Sequence, residues 1–424
     1  MQQDNLRRTG GRHNGDQGET SKMSVMTDPP PERFRLSQLI YDSRYRSLTI
    51  QVVAMVLLVL ALSWLVSNTI QNLAALGKDF NFGFLTQSAG YDINQRLIPY
   101  DNQMSHGRAA LVGILNTILV AFLGCVTATI IGTIAGVLRL SKNWIVGRLM
   151  TVYVEAFRNV PLLLWIILIF AIVNESMPHP RDFGSGDVPM VFGSIAITRQ
   201  GTWIPAPVFE NLSGALFIVF AASLVAIALY RRWARKRQEA TGQISPVFWV
   251  SLGLFVLPTV IAYFLLGMPV SLDYPEPGRF RFDGGLLIRN SLIALWLALS
   301  LYTGAFIAEI VRGGILAISK GQSEAAYALG LRPNRTMNLV ILPQAMRVIV
   351  PPLISQFLNL TKNSSLAIAV GYMDARATLG GITINQTGRE LEGMLLLGLF
   401  YLVLSLVISA VMNVYNNRVK LKER

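Results

Sequence analysis

Eight stretches of the sequence are long and apolar enough to cross a lipid bilayer as helices, each of which needs roughly 20 such residues. A backbone inside lipid must satisfy its own hydrogen bonds, so this pattern predicts an all-α polytopic membrane protein with about eight transmembrane helices. The predicted spans lie near residues 50–70, 110–138, 150–174, 211–230, 246–268, 286–311, 346–372 and 391–415. The seventh is the most polar, because it contains Pro351, Pro352, Gln356, Asn359, Lys362 and Asn363.

The segments outside the spans divide into two tails and several loops. Residues 1–47 are polar and carry no apolar stretch, so we predict a disordered tail without a cleaved signal peptide. Residues 416–424 form a basic tail, and residues 48–109 supply a first span followed by a long loop. Only 14% of the residues are charged, against about 25% in soluble domains. The net charge of +13 resides mostly in loops between apolar runs, which argues against nucleic-acid binding and for contact with the lipid surface.

The distribution of basic residues predicts the orientation. With residue 1 inside, the inner segments hold 24 Lys and Arg and the outer segments hold 9. Basic residues accumulate on the cytoplasmic side of membrane proteins. Both termini are therefore predicted to be cytoplasmic, and so are the loops at 231–245 and 312–345.

The sequence offers no catalytic or metal-binding constellation. Cys125 is the single cysteine and lies inside an apolar run, where it is expected to pack as a small side chain. The three histidines are far apart in sequence, and no Gly-x-x-x-x-Gly-Lys-Ser/Thr stretch is present to hold phosphates. We therefore expect no catalytic residue, no metal site and no cofactor in this chain.

The loop at 312–345 differs from the other loops because it contains helix signals. Ser319 and Gln322 have the spacing of a capping box, which predicts a helix starting near Lys320. Gly330 suits the left-handed position that ends a helix, and Pro333 prevents continuation. An isolated helix of about ten residues is marginally stable in water, so this helix needs a groove to lie in.

Several motifs give the chain a resemblance to a known family. EAA at 324–326 is followed by Gly330 and by LPQA at 342–345. Further matching segments are GILNT at 113–117, RLS at 139–141, YVEAFRNVPLL at 153–163 and KNSSL at 362–366. Taken together in chain order, the motifs resemble those of ABC importer permeases of the polar and general L-amino acid branch.

The resemblance implies a fold and a set of partners. It implies a five-helix type I importer core over 110–415, interrupted by a two-helix insertion at 175–285 and preceded by one extra span. The short helix would be the coupling helix that docks on a cytoplasmic ABC ATPase dimer, which binds the ATP and Mg²⁺. A second permease subunit, identical or different, and a periplasmic amino-acid-binding protein would complete the importer in the bacterial inner membrane. The coupling residues implied in this way are Gly321, Glu324, Ala325, Ala326, Gly330 and Pro343.

Polar residues within the spans are candidates for pathway or gating roles. Lys362 is the foremost, because ionisable side chains inside spans are costly and tend to face a cavity or a partner. A snorkelling or structural role is the alternative for it. The other candidates are Asn116, Thr117, Glu155, Arg158, Gln344, Asn359 and Asn363.

For four of the candidates the sequence leaves a structural alternative open. Asn116 and Thr117 could instead bond across packed helices. Glu155 and Arg158 are spaced to form a pair on one helix face, either as an anchor or as a gate, and Glu309 and Arg312 repeat the spacing.

Two other functions remain as alternatives to amino-acid import. The chain could carry another small polar solute, since the loop motifs report the ATPase partner and not the cargo. A secondary transporter is disfavoured, because the sequence shows no internal repeat and such a carrier has no use for a docking helix.

Overall fold

The computed structural model describes residues 43–75, 77, 80–278 and 281–419. The predicted tails, at 1–47 and 416–424, lie largely outside these residues, although 43–47 already belong to the first helix and 416–419 to the last. The chain divides into two compact units, residues 1–80 and 81–424.

The described residues are mostly helical. The long helices are α1 Ser43–Ala75, α2 His106–Leu138, α3 Trp144–Asn159, α4 Leu162–Ser176, α6 Ser213–Thr241, α7 Val247–Leu265, α8 Asn290–Leu316, α11 Leu342–Asn363 and α14 Glu390–Val419. The short ones are α5 Pro180–Gly184, α9 Lys320–Ala328, α10 Pro333–Thr336, α12 Ala375–Ala377 and α13 Ile384–Thr387. Two 3₁₀ turns lie at Gly83–Thr86 and Ser364–Val370, and two π-helical turns at Met337–Ile341 and Thr378–Thr383.

Seven short strands occur, mostly within the predicted insertion. They are β1 Ala196–Thr198, β2 Gly201–Ile204, β3 Ala206–Phe209, β4 Val270–Asp273, β5 Glu276–Pro277, β6 Phe282–Asp283 and β7 Leu286–Ile288. All pairs are antiparallel, in the orders β1-β2-β7, β3-β4 and β5-β6. Ile204 stands opposite Leu286, and Ala206 opposite Asp273, so residues 205–285 begin and end at adjacent points.

The expectation of eight spans is confirmed, since eight helical segments of the described residues are long and apolar enough to cross a membrane. The third predicted span, 150–174, is wrong as a single helix. Val160 has extended backbone angles and Pro161 separates α3 from α4, because proline disfavours helical angles in the residue before it. The rings of Phe157 and Trp165 stack at 4.1 Å across the break, which shows that the chain turns sharply there. The seventh span is longer than predicted and runs from Pro333 to Val370.

The core of the larger unit is the packed pair α2 and α8, which α4 and α11 cover. Glycines of α2 permit this close approach: a Cβ on Gly132 would lie 2.7 Å from the carbonyl oxygen of Gly304, and one on Gly136 would lie 2.6 Å from that of Ala308. Small residues at helix contacts are the usual means of packing helices in lipid. Cys125 packs at the edge of this core, as predicted.

Two helical segments are much less enclosed than this core. The apolar side chains of α1, which belongs to the smaller unit, are exposed along the helix. Helices α6 and α7 pack mainly against each other, and few of their residues are buried. Apolar side chains exposed in this way are compatible with lipid as the solvent.

Candidate functional site

Helix α9 is the short helix predicted in the 312–345 loop, and its nine residues match the expected length. Gly330 ends it in the left-handed conformation, with φ +77°. The Gly330 amide donates to Tyr327 O (2.9 Å) and the Leu331 amide to Ala326 O (3.1 Å), so the helix stop is as predicted. The predicted capping box is wrong, because the Ser319 side chain makes no capping hydrogen bond and the Gln322 side chain is engaged elsewhere.

Helix α9 has one covered face and one open face. Ala326 is only 3% exposed and seats the helix against the rest of the chain. Glu324, Ala325 and Gly321 are exposed, and nothing lies within 4 Å of where a Cβ on Gly321 would be. Leu329 is 82% exposed at the end of the helix. Together with Glu324 it leaves this face of the helix open to contact with another molecule. The side chain of Ala326, which the sequence grouped with the docking residues, is turned away from that surface.

Helix α9 also contacts the start of the seventh span. The Nε2 of Gln344 donates to Oε1 of Gln322 at 3.2 Å. Pro343 lies at the start of α11, directly after the π-helical turn Met337–Ile341. The link gives α9 a direct connection to a helix that carries the polar pathway candidates.

Charged side chains of α2, α3 and α8 form one network around Glu309. The Oε2 of Glu309 accepts from Nη1 of Arg139 at 2.5 Å, and its Oε1 accepts from Nη2 of Arg312 at 2.5 Å. Arg158 Nη1 lies 4.0 Å from Glu309, and Arg139 Nη2 lies 3.9 Å from Glu155. The pairing of Glu309 with Arg312 is confirmed, whereas the pairing of Glu155 with Arg158 is wrong. Those two residues bond to other helices, because Arg139, at the end of α2, attracts both glutamates.

Gln356, Asn359, Lys362 and Asn363 give the second half of α11 several polar side chains that contact no polar group among the described residues. Lys362 and Asn359 are exposed and Gln356 and Asn363 are half-buried. Within the described part of the chain, none of these side chains makes a hydrogen bond or ion pair. Asn359 and Lys362 are three residues apart, so they share one face of the helix. A polar face without partners on a helix of membrane-spanning length is typical of a pathway or of a subunit contact.

Asn116 and Thr117 are completely buried in α2. Asn116 Nδ2 donates to the carbonyl oxygens of Gln95 (2.8 Å) and Met373 (2.9 Å). Thr117 Oγ1 donates to Gly113 O and accepts from the amide of Ala375 at 3.0 Å. These contacts are those of side chains that tie neighbouring segments together, which is the structural role that the sequence left open for both residues.

Asp374 is a buried carboxylate that sequence reasoning missed, although its place between two spans makes any acidic residue there conspicuous. It caps α12, since its Oδ1 accepts from the Ala377 amide at 2.9 Å. Its Oδ2 lies 3.5 Å from the hydroxyl of Tyr401 on α14. Burial raises the pKa of Asp374 to about 6, and these hydrogen bonds offset part of that effect.

Among the described residues no group of three or more His, Cys, Asp or Glu side chains is placed to hold a metal ion. The geometry offers a short helix with one open face, a charge network and a polar helix face.

Comparisons with known proteins place the chain beside permeases of transport systems. Residues 128–421 match the family described as binding-protein-dependent transport system inner membrane component. The chain is similar to the permease protein BztB of a glutamate/glutamine/aspartate/asparagine transport system from Rhodobacter capsulatus, with 55% identity over 95% of this chain and 100% of that protein. It is also similar to AapQ, a general L-amino acid transport system permease from Rhizobium johnstonii, with 45% identity over 91% of this chain and 95% of that one. A solved amino acid ABC transporter with histidines shows a TM-score of 0.43 at 18% identity, covering 74% of this chain and 95% of that one.

Proposed function

The chain belongs to the family of binding-protein-dependent transport system inner membrane components, and we propose that it is the membrane permease of an ABC importer that carries polar or general L-amino acids. The relatives at 55% and 45% identity are permeases of amino-acid systems and match nearly the whole chain, which supports this cargo class. The observation that carries the proposal is the open face of α9. The helix ends at Gly330, is held by the chain through Ala326 on one side and is exposed on the other.

The open face of α9 is proposed to dock on a cytoplasmic ATPase dimer. Glu324 and Ala325 lie on this face and would meet the partner directly, with the exposed Glu324 suited to an ion pair with a basic residue. Gly330 would fix the direction of the helix, and Gln344 with Pro343 would pass its movement to α11. ATP and Mg²⁺ are then bound and used by the ATPase, and this chain performs no hydrolysis.

The polar face of α11 is proposed to line the pathway against a second permease subunit. Lys362, Asn359, Asn363 and Gln356 would supply it, because their side chains are without partners in the described part of this chain. The network around Glu309 would tie α2, α3 and α8 together and could act as a gate when the subunits move. Asn116 and Thr117 are proposed as structural residues.

The orientation proposed for the chain has both termini in the cytoplasm, so that α9 faces the ATPase. The opposite side would receive amino acids from a soluble binding protein. This arrangement follows from the excess of basic residues in the inner loops. The localisation is accordingly the bacterial inner membrane, with the α6–α7 insertion as an addition to the five-helix core.

Reconstitution tests the proposal. The chain would be co-expressed with a cognate ATPase, second permease and binding protein, purified as a complex and placed in proteoliposomes. We expect ATP-dependent uptake of labelled L-glutamine that needs the binding protein. Uptake driven by an ion gradient without ATP would instead support a secondary transporter. ATP-dependent uptake of a different polar solute alone would support the importer function and contradict the proposed amino-acid cargo.

A further inference from the structure

A polar cavity of about 530 Å³ lies at one end of the helical core, away from α9. It is formed where the end of α4, the start of α8 and the turn between β1 and β2 meet. Its volume falls within the range of roughly 300–1,000 Å³ that is usual for small-molecule sites. Two arginines and four amide side chains line it, and no carboxylate does. The polar residues that matter here are Arg289, Asn290, Asn174 and Arg199.

Asn290 is 3% exposed and is fixed in one orientation. Its Nδ2 donates to Asn174 Oδ1 (2.9 Å) and to the carbonyl oxygens of Thr198 (3.2 Å) and Arg199 (2.9 Å). Turning the amide over would set its oxygen against the two backbone carbonyl oxygens, so Oδ1 cannot exchange places with Nδ2. This Oδ1 is buried and has no hydrogen-bond partner in the described part of the chain. A buried acceptor that stays unsatisfied is costly, and a bound donor would remove that cost.

Arg289 contributes a positive charge to the cavity. Its Nε is buried without a partner among the described residues, and its only recorded side-chain hydrogen bond is a long one of 3.5 Å from Nη2 to Asn94 Oδ1. No carboxylate of the described residues lies within 4 Å of it, whereas Arg199 is already paired with Glu175 at 3.7 Å. Arg289 is also the N-cap of α8, so its charge adds to the positive end of a 27-residue helix.

We propose that this cavity binds the α-carboxylate and α-ammonium groups of an amino acid. The guanidinium of Arg289, which can only donate, would take the carboxylate, and Asn290 Oδ1, which can only accept, would take the ammonium. The side chain of the ligand would be left free in the remaining volume, which suits a permease of broad amino-acid range. The inference rests on the proposed function and adds a substrate contact to it, on the side where the binding protein would release its cargo.

Binding of radiolabelled L-glutamine to the purified complex in nanodiscs, without the binding protein, tests the site. We expect Arg289→Gln to raise the Kd roughly tenfold to a hundredfold, because a hydrogen-bonded charge partner is lost. Arg289→Lys should recover part of the affinity. Arg281→Gln is the matched control, since Arg281 is an exposed arginine near the end of the insertion and pairs, among the described residues, with Asp283. Competition should fail with 4-aminobutanamide, which lacks the carboxylate, and with N-acetyl-L-glutamine, which lacks the ammonium.

The outcomes separate this inference from the proposed function. Wild-type affinity in assembled Arg289→Gln complexes that still import glutamine would overturn the cavity site and leave the function intact. Unchanged glutamine binding with weaker docking of the binding protein would mean that Arg289 pairs with an acidic residue of that protein. This result would also overturn the small-ligand proposal. Absence of both glutamine binding and amino-acid uptake in the wild type would reject the proposed function together with the site. If Arg289→Gln does not assemble, the measurement rests on Arg289→Lys and the two competitors.

Discussion

The amide nitrogen of the Gln344 side chain lies 3.2 Å from the amide oxygen of Gln322, and this bond joins the first turns of α11 and α9. Gln322 is also only two residues from Glu324, which stands on the open face. A displacement of α9 therefore has a short route to the helix that carries Lys362. Force from an ATPase can act on the pathway only through elements connected in this way.

The first prediction concerns the end of α9. Gly330→Val should abolish most binding-protein-stimulated ATPase activity and uptake, because a side chain with a Cβ costs about 1–2 kcal/mol in the left-handed region and would redirect the helix. Glu324→Lys should weaken docking by charge reversal. The matched control is Gly242→Val, since Gly242 has φ +72° in open space between α6 and α7 and bears the same strain. Normal coupling in both α9 variants would show that this loop does not transmit the signal.

The second prediction concerns Glu309. Glu309→Gln should destabilise the chain by about 3 kcal/mol at most, because Arg139, whose side chain is only 10% exposed, loses its nearest carboxylate and keeps only the 3.9 Å contact with Glu155. Asp283→Asn serves as the comparison, since its pair with Arg281 is exposed and should contribute at most about 1 kcal/mol. Thermal unfolding midpoints of the purified variants in detergent measure the difference. Equal midpoints would mean that water already screens the network.

The third prediction concerns orientation. In a Cys125→Ala background, a cysteine at Gln103 should react with an impermeant thiol reagent added to spheroplasts, and a cysteine at Thr241 should not. Both positions are exposed and lie on opposite sides of the predicted membrane. Mass shifts on gels read out the labelling. Labelling at position 241 and not at position 103 would mean that the orientation is opposite to the predicted one and that α9 lies outside the cytoplasm.

The fourth prediction concerns Lys362. Lys362→Met should lower uptake while leaving assembly and basal ATPase activity unchanged, because the long apolar stem is kept and only the charge in the proposed pathway is lost. Lys142→Met, in the exposed turn between α2 and α3, is the control lysine and should transport normally. Failure of Lys362→Met to assemble with the second permease would instead assign the lysine to the subunit contact.

The fifth prediction concerns Asp374 and pH. Burial raises its pKa from 3.8 to about 6, so the folded state holds the proton more tightly than the unfolded state does. The contribution of the Asp374 carboxyl group to the free energy of unfolding is therefore complete below pH 4 and is lost as the pH rises to 6. Above pH 6 the loss amounts to on the order of 3 kcal/mol.

Asp374→Asn should remove this dependence and raise the unfolding midpoint at pH 7, because an amide oxygen can still accept from Ala377. Midpoints measured between pH 4 and 8 should rise with acidity in the wild type and stay level in the variant. Asp187→Asn, at an exposed carboxylate, should follow the wild-type curve. Parallel curves for Asp374→Asn and the wild type would refute the buried titration.

Much of the architecture could be predicted from the sequence, because membrane-spanning length and helix-ending glycines are local signals. The eight spans and the stop at Gly330 are of this kind. The break at Val160–Pro161 was missed because apolar residues continue on both sides of the proline, so the run looks like one span. The short strands β1 to β7 were missed because runs of two to four residues carry too little periodicity.

The contacts of the site depended on long-range proximity, which a single sequence does not contain. Arg139 and Glu309 are 170 residues apart, and the one-turn spacing of Glu155 and Arg158 suggested a pairing that does not form. Likewise Asn290 is fixed by Asn174 and by backbone oxygens near Thr198, none of which is its neighbour in sequence. Lys362 was found because a lysine in an apolar run is conspicuous whatever surrounds it.

The pairing of β2 with β7 also bears on how the segment between them is attached to the rest of the fold. Ile204 and Leu286 face each other as strand partners, so the 81 residues between them leave and re-enter the fold at adjacent points. Helices α6 and α7 within that segment pack mainly on each other. The segment from 205 to 285 is thus joined to the rest of the fold at two adjacent points. Its removal would leave a gap that a tight turn can close, at the cost of the buried contact between Phe282 and Phe183.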